Sequence, residues 1–318
     1  MKKNTLLISL IIIILLSVIN IFWFYFYTYT SVRTNFEKEE FANKIFFSNE
    51  NLNAFEKEIL VVSSHFENRV IFLSKISSLD SFLNHNGSLK TVEKDFFSMM
   101  DTAPYYLQLI YLDEYGMEKV RLNNYHELLI LSENELKNRS NRSFFMETSK
   151  LKSGQVYISP FNLMNIQTDL ANIGTVKNPE YIPFIRYATP IFDNLNNFRG
   201  VLVSTLDSRP ILDPIREMGK SRNVFIINHE GYYIVNNDTK KEYSFMIGGV
   251  NYNFFDDYNI SLDSFENSLE AGRINTDDKV FLFRFIFLNI FQENVNLDKK
   301  ELLKRNAPFV LTIEVIDK

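Results

Sequence analysis

The chain has 318 residues, 46% hydrophobic and 23% charged, the composition of a globular protein of one or two modules and not of a disordered segment. A formal net charge of -5 leaves no basic stripe to neutralise a phosphate backbone, which excludes nucleic acid as a partner. With no cysteine, disulfides, thiolate metal sites and cysteine nucleophiles are excluded together, and stability must rest on burial.

Lys2 and Lys3 precede an uncharged stretch from Asn4 to Val32, about 29 residues, where roughly 20 suffice to cross a bilayer as a helix. The apolar run ends in Phe22, Trp23, Phe24, Tyr25, Phe26 and Tyr27, aromatic residues suited to the membrane interface and unlike the small residues of a cleavage site. Residues 1–32 are therefore predicted to be an uncleaved, single-pass anchor in the cytoplasmic membrane. The paired lysines place its short end in the cytoplasm and the bulk of the chain outside.

Residues 33–79 are predicted to form a long amphipathic helix. Leu52, Phe55, Ile59, Val62, Phe66, Leu73 and Ile76 recur at steps of three and four, with Arg69 breaking the seam. The stripe either packs on the domain that follows or also supports homodimer contacts, and the first reading carries more weight.

From Tyr105 the pattern changes to short runs of aromatic and branched residues separated by Gly and Asn turns. Gln108 to Leu112 and Glu118 to Leu122 flank a turn holding Asp113 and Gly116; Val224 to Ile227 and Tyr232 to Val235 flank one holding Asn228 and Gly231. In each, a short polar side chain stands three residues before a glycine that can take positive φ. The recurrence indicates two related modules, 80–209 and 210–318. Further strands are predicted at Gln155 to Ser159, Pro183 to Thr189 and Arg199 to Leu206, with later ones at Phe281 to Phe287 and Phe309 to Val315. Glu314 interrupts the last run, which is too short to cross a membrane and reads as a buried strand. Helix followed by antiparallel sheet in each half gives an α+β fold.

Signals for chemistry are sparse. His65, His85, His126 and His229 show no paired helical spacing of a zinc hydrolase. The Asp193 turn has Leu195 where a calcium loop needs an oxygen ligand. No phosphate loop, nucleophile elbow, kinase or cyclase signature occurs. No catalytic residue, metal site or cofactor is predicted.

The stretches Arg142 to Glu147, Gly154 to Pro160, Pro183 to Asp193 and Gly200 to Val203, taken in order, resemble the double Cache sensors. These are extracytoplasmic input domains of bacterial histidine kinases, diguanylate cyclases and chemoreceptors. The resemblance covers about residues 35–318, and Asn228 to Val235 with Glu242 to Gly248 look like the membrane-proximal half. It implies two PAS-like antiparallel-sheet modules in tandem, with a small ligand in the membrane-distal one. Carried over by position, it nominates Tyr157, Ser159, Arg186 and Thr205 as ligand-binding candidates. Arg186 is open to two readings, a ligand clamp or a structural ion pair, and packing is the favoured role for Tyr157.

Two departures qualify the resemblance. The amino-acid-binding branch uses an Arg-Xaa-Xaa-Trp-Tyr motif and a late Asp, whereas this chain has Asn138 to Phe145 in the first region and Thr205 in place of the second. A carboxylate, polyol or other small polar ligand is thus expected in preference to an amino acid. The chain also stops at Lys318, where such receptors continue into a second membrane helix and an output domain. It is expected to be part of a receptor, or else an anchored subunit that docks a separate partner without a small ligand.

Overall fold

The computed structural model describes residues 2–170, 179–265, 271–288 and 309–317. Helix α1 runs from Lys2 to Leu73. Its part up to Asn51 belongs to one compact unit, and Leu52–Asp317 form the other. In the first unit the side chains from Ile12 to Tyr27 are exposed on every side of the helix, and the helix is long and apolar enough to cross a membrane. Ser17, Asn20, Thr28 and Thr30 return their side-chain donors to carbonyls one turn back, the way polar groups are satisfied where no water is available.

In the second unit α1 buries Leu52, Phe55, Ile59, Val70 and Leu73. The expected seam shifts in its middle: Val62 and Phe66 are half-buried while Ser63 and Glu67 are buried. A straight helix of 3.6 residues per turn drifts from a strict three-four repeat, and Ser63 meets a hydroxyl partner described below. The helix stops at Leu73, short of residue 79, and α2 (Ser77–Leu83) and α3 (Leu89–Asp101) follow it.

The first sheet contains β1 (Tyr106–Leu112), β2 (Glu118–Tyr125), β3 (Glu127–Ile130), β4 (Tyr157–Ile158), β5 (Asn162–Asn165), β6 (Tyr181–Phe192) and β7 (Phe198–Asp207). Its order is β3-β2-β1-β7-β6-β4, with β5 also on β6, and every pairing is antiparallel. Between β3 and β6 the short helices α4 (Ser143–Thr148) and α5 (Ile166–Asp169) lie over it. Helix α6 (Arg209–Ser221) leads to the second sheet, which contains β8 (Asn223–Ile227), β9 (Tyr233–Val235), β10 (Ala271–Asn275), β11 (Lys279–Phe287) and β12 (Phe309–Asp317). Its order is β10-β11-β12-β8-β9, again antiparallel throughout. Helices α7 (Ser244–Ile247) and α8 (Phe254–Tyr258) fall between β9 and β10.

The core order β2-β1-β7-β6 of the first sheet recurs as β9-β8-β12-β11 in the second. The two hairpin turns share one mechanism. Asp113 Oδ1 accepts from the amides of Tyr115 and Met117, and Asn228 Oδ1 accepts from those of Glu230 and Tyr232. Gly116 and Gly231 take φ of 77° and 86°, which a side chain would oppose. Glu314 sits in the central strand β12 with its carboxylate held by Arg222 at 2.8 and 2.9 Å, so a buried charge is paired rather than stranded.

Candidate functional site

Alternation along β6 decides what the two faces of the first sheet present. Even-numbered Phe184, Arg186 and Ala188 point to the side covered by α4 and α5; odd-numbered Tyr187 points to α1. Cross-strand register then extends one row of polar residues across four strands. Arg186 stands opposite Thr205, Thr205 opposite Gln108, and Gln108 opposite Asn123. The next row is Tyr157, Ala188, Val203, Ile110 and Arg121.

Arg186 donates from Nε to Thr205 Oγ1 at 3.3 Å. Its guanidinium carbon lies 4.3 Å from the Phe184 ring centre and 5.2 Å from that of Phe144, the latter on α4. Rings on the cation supply attraction without hydrogen-bond acceptors. Among the described residues no carboxylate forms an ion pair with Arg186, and Thr205 is its one side-chain acceptor. Of the five guanidinium N–H donors, most therefore have no partner among the described residues. The residue keeps part of its surface accessible, yet burial brings its pKa down to about 10, against the more distant attraction of Asp169.

The other candidates divide. Thr205 is fully buried and touches Arg186. Tyr157 is half-buried and packs on the cluster of Ile110, Leu112, Phe144, Phe145, Ala188 and Val203. Burial raises its phenol pKa, while Ser143 and the charge of Arg186 pull the other way. Ser159 is buried with its hydroxyl spent on the backbone: it donates to Pro160 O at 2.8 Å and accepts from Arg186 N at 2.9 Å. The structure thus joins Arg186 to Thr205 and Ser159, and of these three the guanidinium carries the charge.

Among the described residues the corresponding face of the second sheet is aromatic. Phe281, Phe283, Phe285 and Phe287 of β11 share a closed aromatic core with Phe225, Phe254 and Phe265. Phe265 meets Phe283 edge to face at 4.9 Å.

The comparisons with known proteins agree with this architecture. The model of the bacterial histidine kinase sensor domain matches residues 43–297. The chain belongs to that family. A domain of a sensory box/GGDEF family protein from Vibrio parahaemolyticus superimposes with a TM-score of 0.64 at 20% identity, over 85% of this chain and 95% of that one. The extracellular domain of the histidine kinase vpHK1S-Z8 gives 0.62 at 19%, over 85% and 90%. The ligand-binding domain of the Pseudomonas aeruginosa PAO1 amino acid chemoreceptor PctC, solved in complex with GABA, gives 0.53 at 6%, over 85% and 98%. Among curated proteins no match was found. The fold is that of extracellular sensor domains, consistent with a Cache-type α+β architecture.

The sensor domain also holds buried polar residues that the sequence reading passed over. Glu118 accepts from Arg121 Nη1 at 3.2 Å, Arg139 Nε at 2.8 Å and the amide of Lys137 at 2.9 Å. Arg121 and Gln108 both donate to the carbonyl of Asp169, at 2.6 and 3.0 Å, and Asn123 donates to that of Leu170 at 2.7 Å. The polar row thereby satisfies the free carbonyls at the end of α5 and fixes that helix over the sheet. The available signal was Arg121 and Asn123 two apart on a strand, with Gln108 facing them across the hairpin.

Proposed function

We propose that this sensor domain is the extracytoplasmic input of a membrane-anchored signalling receptor, and that it binds a small carboxylate on Arg186 in the module of residues 80–209. The observation that carries the reading is the guanidinium of Arg186: desolvated, flanked by two rings and lacking a carboxylate among the described residues. A planar fork of that kind matches a carboxylate two bonds at a time, whereas a polyol would leave its charge uncompensated. Asp169 is the carboxylate whose attraction reaches Arg186, but it forms no ion pair with it, and its Oδ2 already accepts from the amide of Asn165. The chemoreceptor domain of the same fold was solved with GABA, itself a small carboxylate, which fits this class.

Residues 210–318 form the membrane-proximal module in this reading, and α1 carries the anchor with its N-terminus in the cytoplasm. Binding shifts the population between two arrangements of the first sheet and α1. The route is short. Arg186 and Tyr187 are adjacent on β6 and face opposite ways, and Tyr187 donates to Ser63 Oγ of α1 at 3.2 Å. Catalysis is no part of this role.

The test is thermal unfolding of the full chain in detergent against acetate, butyrate, benzoate, succinate and 4-aminobutyrate, with glycerol and erythritol as neutral probes. A native-state ligand raises the midpoint with dose, by the equivalent of about 2.7 kcal/mol at a hundred times Kd. At least one carboxylate is expected to do so in the wild type and none in Arg186→Met. A response that survives Arg186→Met, or one confined to the neutral polyols, overturns the assignment.

A further inference from the structure

The second module has a polar centre of opposite sign. Tyr233 of β9 donates from Oη to Asp257 Oδ2 of α8 at 2.9 Å. Lys241, on the connector between β9 and α7, brings Nζ within 2.6 Å of the same oxygen. That ammonium lies 5.7 Å from the ring centre of Tyr233 and 5.4 Å from that of Tyr252. One carboxylate and two aromatic rings around an ammonium are the groups that would recognise a free alkylammonium. Tyr233 stands on the second strand of its hairpin, as Asn123 does on β2, and Lys241, Tyr252 and Asp257 come from the segments that follow it.

We propose that Tyr233, Tyr252 and Asp257 form an alkylammonium-binding site of the second module, occupied in cis by Lys241 and opened when an external ammonium displaces it. Exchange requires only side-chain motion. The Lys241 and Asp257 side chains keep 28% and 30% of their surface exposed. The backbone beside Lys241 is held independently, since Glu242 is bound by Arg216 at 3.1 and 2.9 Å and accepts from the amide of Asn236. A tethered lysine competes at an effective concentration on the order of millimolar or above, so the closed form masks the site from dilute amines. The alternative, an ordinary ion pair near the surface, is worth little and leaves nothing to bind once the lysine is removed.

The experiment titrates ethylammonium chloride into the full chain at constant ionic strength, with sodium chloride as the balancing salt and the thermal midpoint as the readout. Wild type, Lys241→Ala, Lys241→Met and Lys241→Ala with Asp257→Asn are compared. Lys241→Ala is expected to show a saturable rise at an ethylammonium concentration at least about ten-fold lower than wild type requires. Lys241→Met, which keeps the stem as a plug, should respond less, and the Asp257→Asn combination not at all. Equal responses in wild type and Lys241→Ala, no response in Lys241→Ala, or a response that persists with Asp257→Asn would each overturn the proposal. Arg186→Met is expected to leave this titration unchanged, which separates the site from the carboxylate site of the first module.

Discussion

Arg186→Met should make the ligand-free protein more stable. Methionine keeps an unbranched stem between Phe184 and Phe144 and removes the charge. Burial holds the guanidinium down to about 10; a tenfold change in an ionisation constant is worth about 1.4 kcal/mol, so keeping this charge folded costs on the order of 3 kcal/mol. Because the folded state binds that proton less tightly than the unfolded chain, the penalty is present at neutral pH and lifts only as pH rises through about 10. The two flanking rings offset about 1 kcal/mol each, which leaves a net cost of roughly 1 kcal/mol. For a unit of this size that corresponds to a rise of about 2–4 °C in Arg186→Met. Calorimetry at pH 7 in a buffer free of carboxylates reads it directly. A fall of several degrees would mean that Arg186 is a structural group, and the argument from its unmet fork would be wrong. In the proposed function such a charge is kept against stability for the sake of binding.

Three further outcomes are expected. Glu118→Gln removes the countercharge of Arg121, whose side chain is 6% exposed, and should cost about 3 kcal/mol in urea unfolding; a loss under about 1 kcal/mol would show that the network is dispensable. Tyr187→Phe deletes the bond to Ser63 and should cost about 1 kcal/mol. In that variant, ligand-dependent protection of α1 amides near Ser63 against hydrogen exchange should disappear, and its persistence would remove Tyr187 from the route. Asp193 has its pKa lowered to about 2, chiefly by the amide and side chain of Asn197. Its contribution is present above the ordinary carboxylate range and lost as pH falls from about 4 toward 2. Asp193→Asn should flatten the midpoint-versus-pH curve in that window, and an unchanged curve would count against the assignment.

What the sequence displayed was what local rules control. The hairpin turns at Asp113 and Asn228 were readable because side chain, amides and glycine all lie within five residues, and the phenylalanines of β11 because period two needs only one strand. The α1 seam failed at Ser63 and Glu67: apolar spacing pointed to Val62 and Phe66, but a tyrosine hydroxyl from β6 rewards a serine there. Arg186 and Thr205 came from resemblance, and their contact depends on the pairing of β6 with β7. Gln108, Asn123 and Arg121 read as ordinary strand residues until β1 pairs with β2 and α5 offers its carbonyls. Lys241, Tyr252 and Asp257 are brought together only by the fold of the second module.

The two polar centres explain each other's chemistry. The two sheets share a four-strand core order, β2-β1-β7-β6 and β9-β8-β12-β11. Aromatic rings around Phe254 and Phe283 secure the second sheet by burial, and beside it Lys241 neutralises Asp257. The first module instead holds Arg186 without a carboxylate partner among the described residues. Its buried polar row is already committed to the α5 carbonyls and to Glu118. In the proposed function, an entering carboxylate meets this cation against a prearranged surface, and the free energy it gains there moves β6, whose next residue touches α1.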